Sequence, residues 1–109
     1  MKIENTQAQM RKGILEFCIL SILSHGDAYT NDIIQRLKEA RLIVVEGTLY
    51  PLLTRLKNDE LLSYRWEESN SGPPRKYYQL TEKGRVFLDA LRITWNELVE
   101  SVNKTQNTQ

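Results

Sequence analysis

The sequence predicts a mainly α-helical fold that carries one two-stranded β-hairpin and closes on a long helix. Three observations predict it. Apolar residues recur at helical spacing in three successive segments before Asp59. The period then switches to alternation on either side of a turn-forming cluster, Ser69-Asn70-Ser71-Gly72-Pro73-Pro74. Finally, Thr81 stands as a cap before a run whose apolar residues return every three or four positions. With 109 residues, 40% of them hydrophobic, the chain has material for one structural domain, able to bury roughly 60 to 70% of its unfolded surface.

The first six residues are polar and are expected to be ordered only by a partner, and Gln7 to Ser24 reads as a first helix. Its apolar residues from Met10 to Leu23 surround most of the axis, which places it centrally or at a subunit interface. Gly26 marks its end, and Asp27 or Thr30 can cap a second helix running to about Ala40 that buries Ile33, Ile34 and Leu37. Arg41 to Val45 follows as a connection, where β-branched Ile43, Val44 and Val45 favour an extended strand or turn.

Leu49, Leu52, Leu53 and Leu56 gather on one side of a third helix at roughly 100° per residue. The opposite side presents Gly47, Thr48, Tyr50, Pro51, Thr54, Arg55 and Asn58, a polar and cationic face without a carboxylate that suits phosphates and base edges. Proline is tolerated in a first turn, where N–H groups are free, so Pro51 starts this helix near Gly47 or Thr48 and sets Thr48 and Tyr50 at its N-terminal end. That end is the one helix-turn-helix proteins insert into the major groove. Thr54 and Asn58 have the exposure for base contact, whereas Arg55 suits an internal pair with Glu46, Asp59 or Glu60 as well as it suits a phosphate.

Beyond Asp59-Glu60, Leu62, Tyr64 and Trp66 alternate with polar neighbours, and Arg75 to Leu80 resumes the alternation. The strands form a hairpin over about residues 61–80, with Tyr78 expected in the core beside Leu80 and Tyr77 outside. Thr81 caps the last helix, which continues to about Asn103 with a seam of Leu88, Leu91, Trp95, Leu98 and Val102. The seam is longer than one globular face needs, so it pairs two copies of the chain. Residues 81–109 are accordingly read as a dimerisation helix with a polar tail, and residues 1–80 as the nucleic-acid-binding region.

The formal net charge of +1 gives no global argument for nucleic acid, and only the local balance around the third helix and hairpin is basic. The adjacent Glu67-Glu68 also permits a rival reading, a winged helix used for protein contact. Catalysis, metal and cofactors find no pattern: His25 is the only histidine, Cys18 the only cysteine, and neither a glycine-rich phosphate loop nor metal-ligand spacing occurs. Without a membrane-length apolar segment or a signal-peptide pattern, the chain reads as cytoplasmic.

Three helices, a hairpin and a long helix are the order of a winged helix with an appended dimerisation helix. Gly47-Thr48-Leu49-Tyr50-Pro51-Leu52-Leu53, Arg55-Leu56, Trp66, then Arg75-Lys76-Tyr77-Tyr78-Gln79-Leu80-Thr81 and Gly84 resemble the PadR family of bacterial transcriptional regulators across roughly residues 10 to 100. The single C-terminal helix resembles that family's short subfamily. The resemblance implies a homodimeric winged-helix repressor of nearby genes that binds double-stranded DNA and is released by a small molecule or another signal. Thr48 and Tyr50 then match the DNA-touching positions of the recognition helix, and Arg75 and Lys76 those of the wing. Trp95 matches a tryptophan that faces its symmetry mate and can sandwich a planar aromatic effector, or simply anchors the dimer. A sensor that has lost DNA binding is a third possibility.

Overall fold

A computed structural model describes residues 1–42 and 45–107. The elements are α1 (Ile3–Lys12), α2 (Leu15–Leu23), β1 (Ala28–Tyr29), α3 (Thr30–Glu39), α4 (Glu46–Asn58), β2 (Leu62–Ser69), β3 (Gly72–Leu80) and α5 (Glu82–Gln106). The fold is thus mainly helical with a long C-terminal helix, as the sequence predicts, and its antiparallel sheet adds a third strand to the expected two-stranded hairpin.

The single first helix is in fact two. Helix α1 begins at Ile3, inside the segment expected to lack order, and ends at Gly13, after which Ile14 leaves the helical region and α2 starts afresh. A glycine costs helix about 1 kcal/mol against alanine, so the chain turns there and brings Leu15, Ile19, Leu20 and Leu23 into the core. None of the side chains of α1 is buried.

After α2 the backbone crosses Gly26 at φ +152°, a conformation side chains rarely adopt, and enters β1. This two-residue strand has no sequence signal of its own, being too short to show a period. It pairs with β3 through Ala28 opposite Tyr78 and Tyr29 opposite Tyr77, giving a sheet of order β1-β3-β2. Helix α3 is capped by neither expected residue: Tyr29 is its N-cap, and the Tyr29 N–H donates to the Asp32 carboxylate at 3.1 Å. Of its expected core residues, Ile33 and Leu37 are fully buried and Ile34 is half-buried. Both α3 and α4 end with a non-glycine residue in the left-handed region, Arg41 and Glu60 at φ 64° each. Leu42 and Leu61 then donate back to the Leu37 and Leu56 carbonyls at 2.7 and 3.0 Å, as in a Schellman closure.

The expected turn at Ile43 and Val44 lies outside the described residues; Val45 is extended and serves as N-cap of α4. That helix starts at Glu46, which makes Pro51 its sixth residue and not a first-turn one. The proline ring has no N–H for the Gly47 carbonyl; Gly47 is exposed, so water can take that acceptor in its place.

The hairpin is tighter than six turn formers suggest. Strand pairing persists from Leu62–Leu80 to Ser69–Gly72, leaving Asn70 and Ser71 as the turn, with a bulge between Glu67 and Ser69. Pro73 and Pro74 sit within β3 beside that bulge, where a missing donor is tolerated. Tyr78 is buried, as its parity predicts.

Thr81 caps α5: its hydroxyl accepts from the Gly84 N–H at 2.9 Å and donates to the Glu60 carbonyl at 2.7 Å. The core joins Ile19, Leu20, Ile33, Leu49, Leu53 and Leu62 with Leu88 from α5. Helix α5 runs on to Gln106, past the expected end near Asn103, and the principal extents of 60 × 33 × 22 Å reflect its reach.

Candidate nucleic-acid interface

Burial of Leu49, Leu53 and Leu56 fixes the rotation of α4. Tyr50 and Thr54, one turn apart, lie along the flank nearest the hairpin; Gly47, Pro51 and Asn58 point away from the core, and all five are exposed. Thr48 and Arg55 share a row roughly 160° and 140° round from Tyr50, on the flank facing α2. There Thr48 is half-buried, and the Arg55 guanidinium forms an ion pair with Glu16 of α2. The Arg55 partner is therefore none of Glu46, Asp59 or Glu60. Glu16 was invisible to sequence spacing because α2 meets α4 only through the tertiary fold.

The earlier start of α4 changes its N-terminal chemistry. Glu46 occupies the first turn, where its carboxylate complements the helix dipole and competes with any phosphate for that end.

Sheet alternation divides the hairpin. Tyr64, Trp66, Lys76 and Tyr78 share the face turned toward α4, and the pairs Tyr64–Tyr78 and Trp66–Lys76 are in register. Their rings climb from core to tip: Tyr78 to Tyr64 at 5.7 Å between centroids, then Tyr64 edge-on to Trp66 at 6.1 Å and 90°. The Lys76 ammonium lies 4.6 Å from the Tyr64 ring centroid and 5.6 Å from that of Trp66. Burial raises the Tyr78 hydroxyl above its ordinary pKa.

Arg75, one residue along, belongs to the opposite face and lies 5.7 Å from the Tyr29 ring centroid. That outer face is knitted together by Arg65. Its guanidinium donates to Asp27 at 3.1 Å, to Gln79 at 3.0 Å and to Glu67 at 3.1 Å, and stands 4.4 Å from the Tyr77 centroid. Tyr29 donates its hydroxyl to the other Glu67 oxygen at 3.0 Å and packs on Tyr77 at 4.5 Å. The Glu67 carboxylate holds the Tyr29 proton, so the pKa of this tyrosine is raised; the Asp27 and Glu67 bonds likewise raise that of Arg65. Hence Glu67, the acidic residue that favoured a protein partner, is spent within the fold, while Glu68 remains exposed.

Although they issue from opposite faces, Arg75 and Lys76 both line one cleft of about 330 Å³ with Tyr50 and Trp66. Thr30 and Asn31 at the start of α3 close its other wall. Among the described residues no carboxylate lines it. The structure thus brings Tyr50, Arg75 and Lys76 together, with Thr54 and Asn58 on the adjoining helix surface, and leaves Thr48 and Arg55 on the far flank. Trp66, Thr30 and Asn31 are site residues beyond those the sequence predicts. For Trp66 the signal was present, since it shares strand parity with Lys76 and Tyr64.

Along α5 the seam divides in two. Leu88 is 1% exposed, packed within its own chain, and so is withdrawn from the expected dimer contacts; Leu91 is half-buried against the core. Trp95, Leu98 and Val102 are 41, 52 and 53% exposed, with Phe87 and Val99 beside them. Trp95 packs at 6.2 Å on Phe17 of α2. No helix among the described residues is long and apolar enough to cross a membrane, and no group of metal-ligating side chains assembles among them.

Helices α2 to α4 with β1 and the hairpin make up a winged helix-turn-helix, with α4 in the position of the recognition helix. Its sequence relatives narrow the class. Residues 19–90 match the PadR-like family of transcriptional regulators, and the chain belongs to that family. A PadR-like transcription factor from Bacteroides fragilis is 66% identical, covering 93% of this chain and 98% of its own, with a TM-score of 0.78. A PadR family regulator from Eggerthella lenta DSM 2243 is 31% identical over 98% of this chain and 94% of its own, with a TM-score of 0.91. A PadR-like regulator from Bacillus cereus strain ATCC 14579 is 35% identical, covering 93% and 99%, with a TM-score of 0.80. An uncharacterised protein from Lysinibacillus sphaericus is 28% identical over 84% of this chain and 87% of its own length.

Proposed function

We propose that this regulator is a cytoplasmic homodimeric repressor that reads an inverted-repeat operator, one α4 per subunit in successive major grooves and the hairpin on the flanking backbone. In this reading residues 1–80 bind DNA and residues 81–109 pair the subunits. The observation that carries it is the carboxylate-free cleft where Tyr50 of α4 meets Arg75 and Lys76 of the hairpin. Hydroxyls there fix register on phosphate oxygens, and the two cations displace counterions. Thr54 and Asn58 reach base edges, while Thr48 stands on the α2 flank and Arg55 is engaged by Glu16 until DNA competes for it. Pairing through Trp95, Leu98 and Val102 removes an apolar strip from water. Should two Trp95 rings meet across the axis, a planar aromatic effector would fit between them.

A gel-shift assay on the duplex upstream of its own gene, repeated across salt concentrations, tests the proposal. Steep weakening with salt is the expected result. Retention of a protein partner with no salt-sensitive shift would favour the protein-contact alternative.

A further inference from the structure

Trp66 is 60% exposed, yet it is not a loose surface ring. The stack of Tyr78, Tyr64 and Trp66 ties the indole to the core, edge contact with Tyr64 sets its plane, and Lys76 brackets it from across the hairpin. A lone exposed aromatic needs no explanation. A braced one, lining a concave site with two cations and no carboxylate, does.

We infer that Trp66 is a DNA-contact residue: its indole packs on a deoxyribose while Lys76, Arg75 and the Tyr50 hydroxyl hold the adjoining phosphate, with Asn31 donating from the opposite wall. The inference rests on the DNA-binding reading above and names the part of the ligand this cleft takes. Bases in a duplex are stacked and closed to an indole, whereas the sugar edge beside a phosphate is apolar and open. A continuous backbone supplies both chemistries at neighbouring positions, matching an apolar plate set beside cationic groups. Two cations without a carboxylate, set beside the apolar surface of Trp66 and Pro74, suit the alternating phosphates and sugars of a backbone better than the irregular charges of an acidic protein helix.

The chain has two tryptophans, so Trp95→Phe leaves Trp66 as the sole indole reporter. Acrylamide quenching of that variant is measured free and saturated with the operator duplex. The expected result is ready quenching in the free protein and marked protection in the complex. In parallel, Trp66→Ala is expected to weaken binding about five- to tenfold, the equivalent of about 1 to 1.4 kcal/mol, with an unchanged salt slope because no charge is lost. Trp66→Phe restores most of the affinity. A duplex shift that persists while the indole stays equally quenchable, or a Trp66→Ala affinity within about twofold of wild type, overturns the inference and leaves the DNA reading intact. Wild-type protein that shifts no duplex at low salt overturns both.

Discussion

Tyr50 and Lys76 stand on different elements and meet only because α4 and the sheet share a core, so each should act separately on DNA. Tyr50→Phe removes a single hydroxyl and is expected to weaken operator binding by about 1 kcal/mol, with the salt slope retained. Lys76→Ala is expected to lower the slope of log K against log salt by about 1; unchanged affinity in both variants would remove the assignment of helix and wing. Arg65 acts at one remove. Its ion pairs are solvent-exposed, and such pairs contribute about 0 to 1 kcal/mol each, so Arg65→Gln should move Tm little. It should nonetheless impair DNA binding, because Glu67 regains a free carboxylate oxygen beside Arg75, its partner in register. Adding Glu67→Gln should recover the affinity, and a double variant as weak as the single would refute this coupling. The same carboxylate governs Tyr29. A phenol whose pKa is raised by folding stays protonated when the unfolded chain, at about pKa 10, already ionises. Its contribution to stability is therefore whole below that pH and fades as pH climbs past the folded value. Phenolate absorbance should show Tyr29 titrating late in wild type and earlier in Glu67→Gln. Parity made Tyr78 legible in the sequence, whereas Glu16 against Arg55 and Asp27 against Arg65 join positions far apart in the chain and leave no local trace.

At the scale of elements, the helical and strand periods identified α3, α4, both hairpin strands and α5, since each buries one face and must repeat at its own spacing. Three features escaped. Strand β1 has two residues, too few for any period. The break between α1 and α2 rests on Gly13 alone, within a run apolar enough to read as continuous helix. The start of α4 departs from the sequence expectation because Pro51 normally marks a first turn; here it follows a full turn that opens at Glu46. The junction of hairpin and α5 shows how closely two elements can be made to approach. Gly84 lies in the first turn of α5, and a Cβ there would stand 2.1 Å from the Leu61 carbonyl oxygen and 2.7 Å from Leu80 Cδ1. Backbone cannot swing aside as a side chain can. Gly84→Ala is expected to destabilise the fold by about 1 to 3 kcal/mol, read as a lowered urea midpoint with m unchanged. A midpoint equal to wild type would show that the junction is looser than its geometry.

For the molecule as a whole, a net charge of +1 means that affinity for DNA must come from placement and not from total charge. Two subunits paired through the far half of α5 would set their α4 helices against half-sites about 34 to 36 Å apart, one helical turn. Sedimentation at micromolar concentration should accordingly give a dimer, and monomer alone would count against the proposed assembly. Helix α1 bears on the same question. It has ten residues and no buried side chain of its own chain to lean on, and helices shorter than about 12 to 15 residues are marginal in water by themselves. In the proposed dimer a second subunit would steady it, which would make its amides a dilution-sensitive gauge of assembly. Deuterium should enter the Asn5 to Arg11 amides slowly in concentrated solution and quickly at nanomolar protein, while the amides of buried α2 hold the same pace at both.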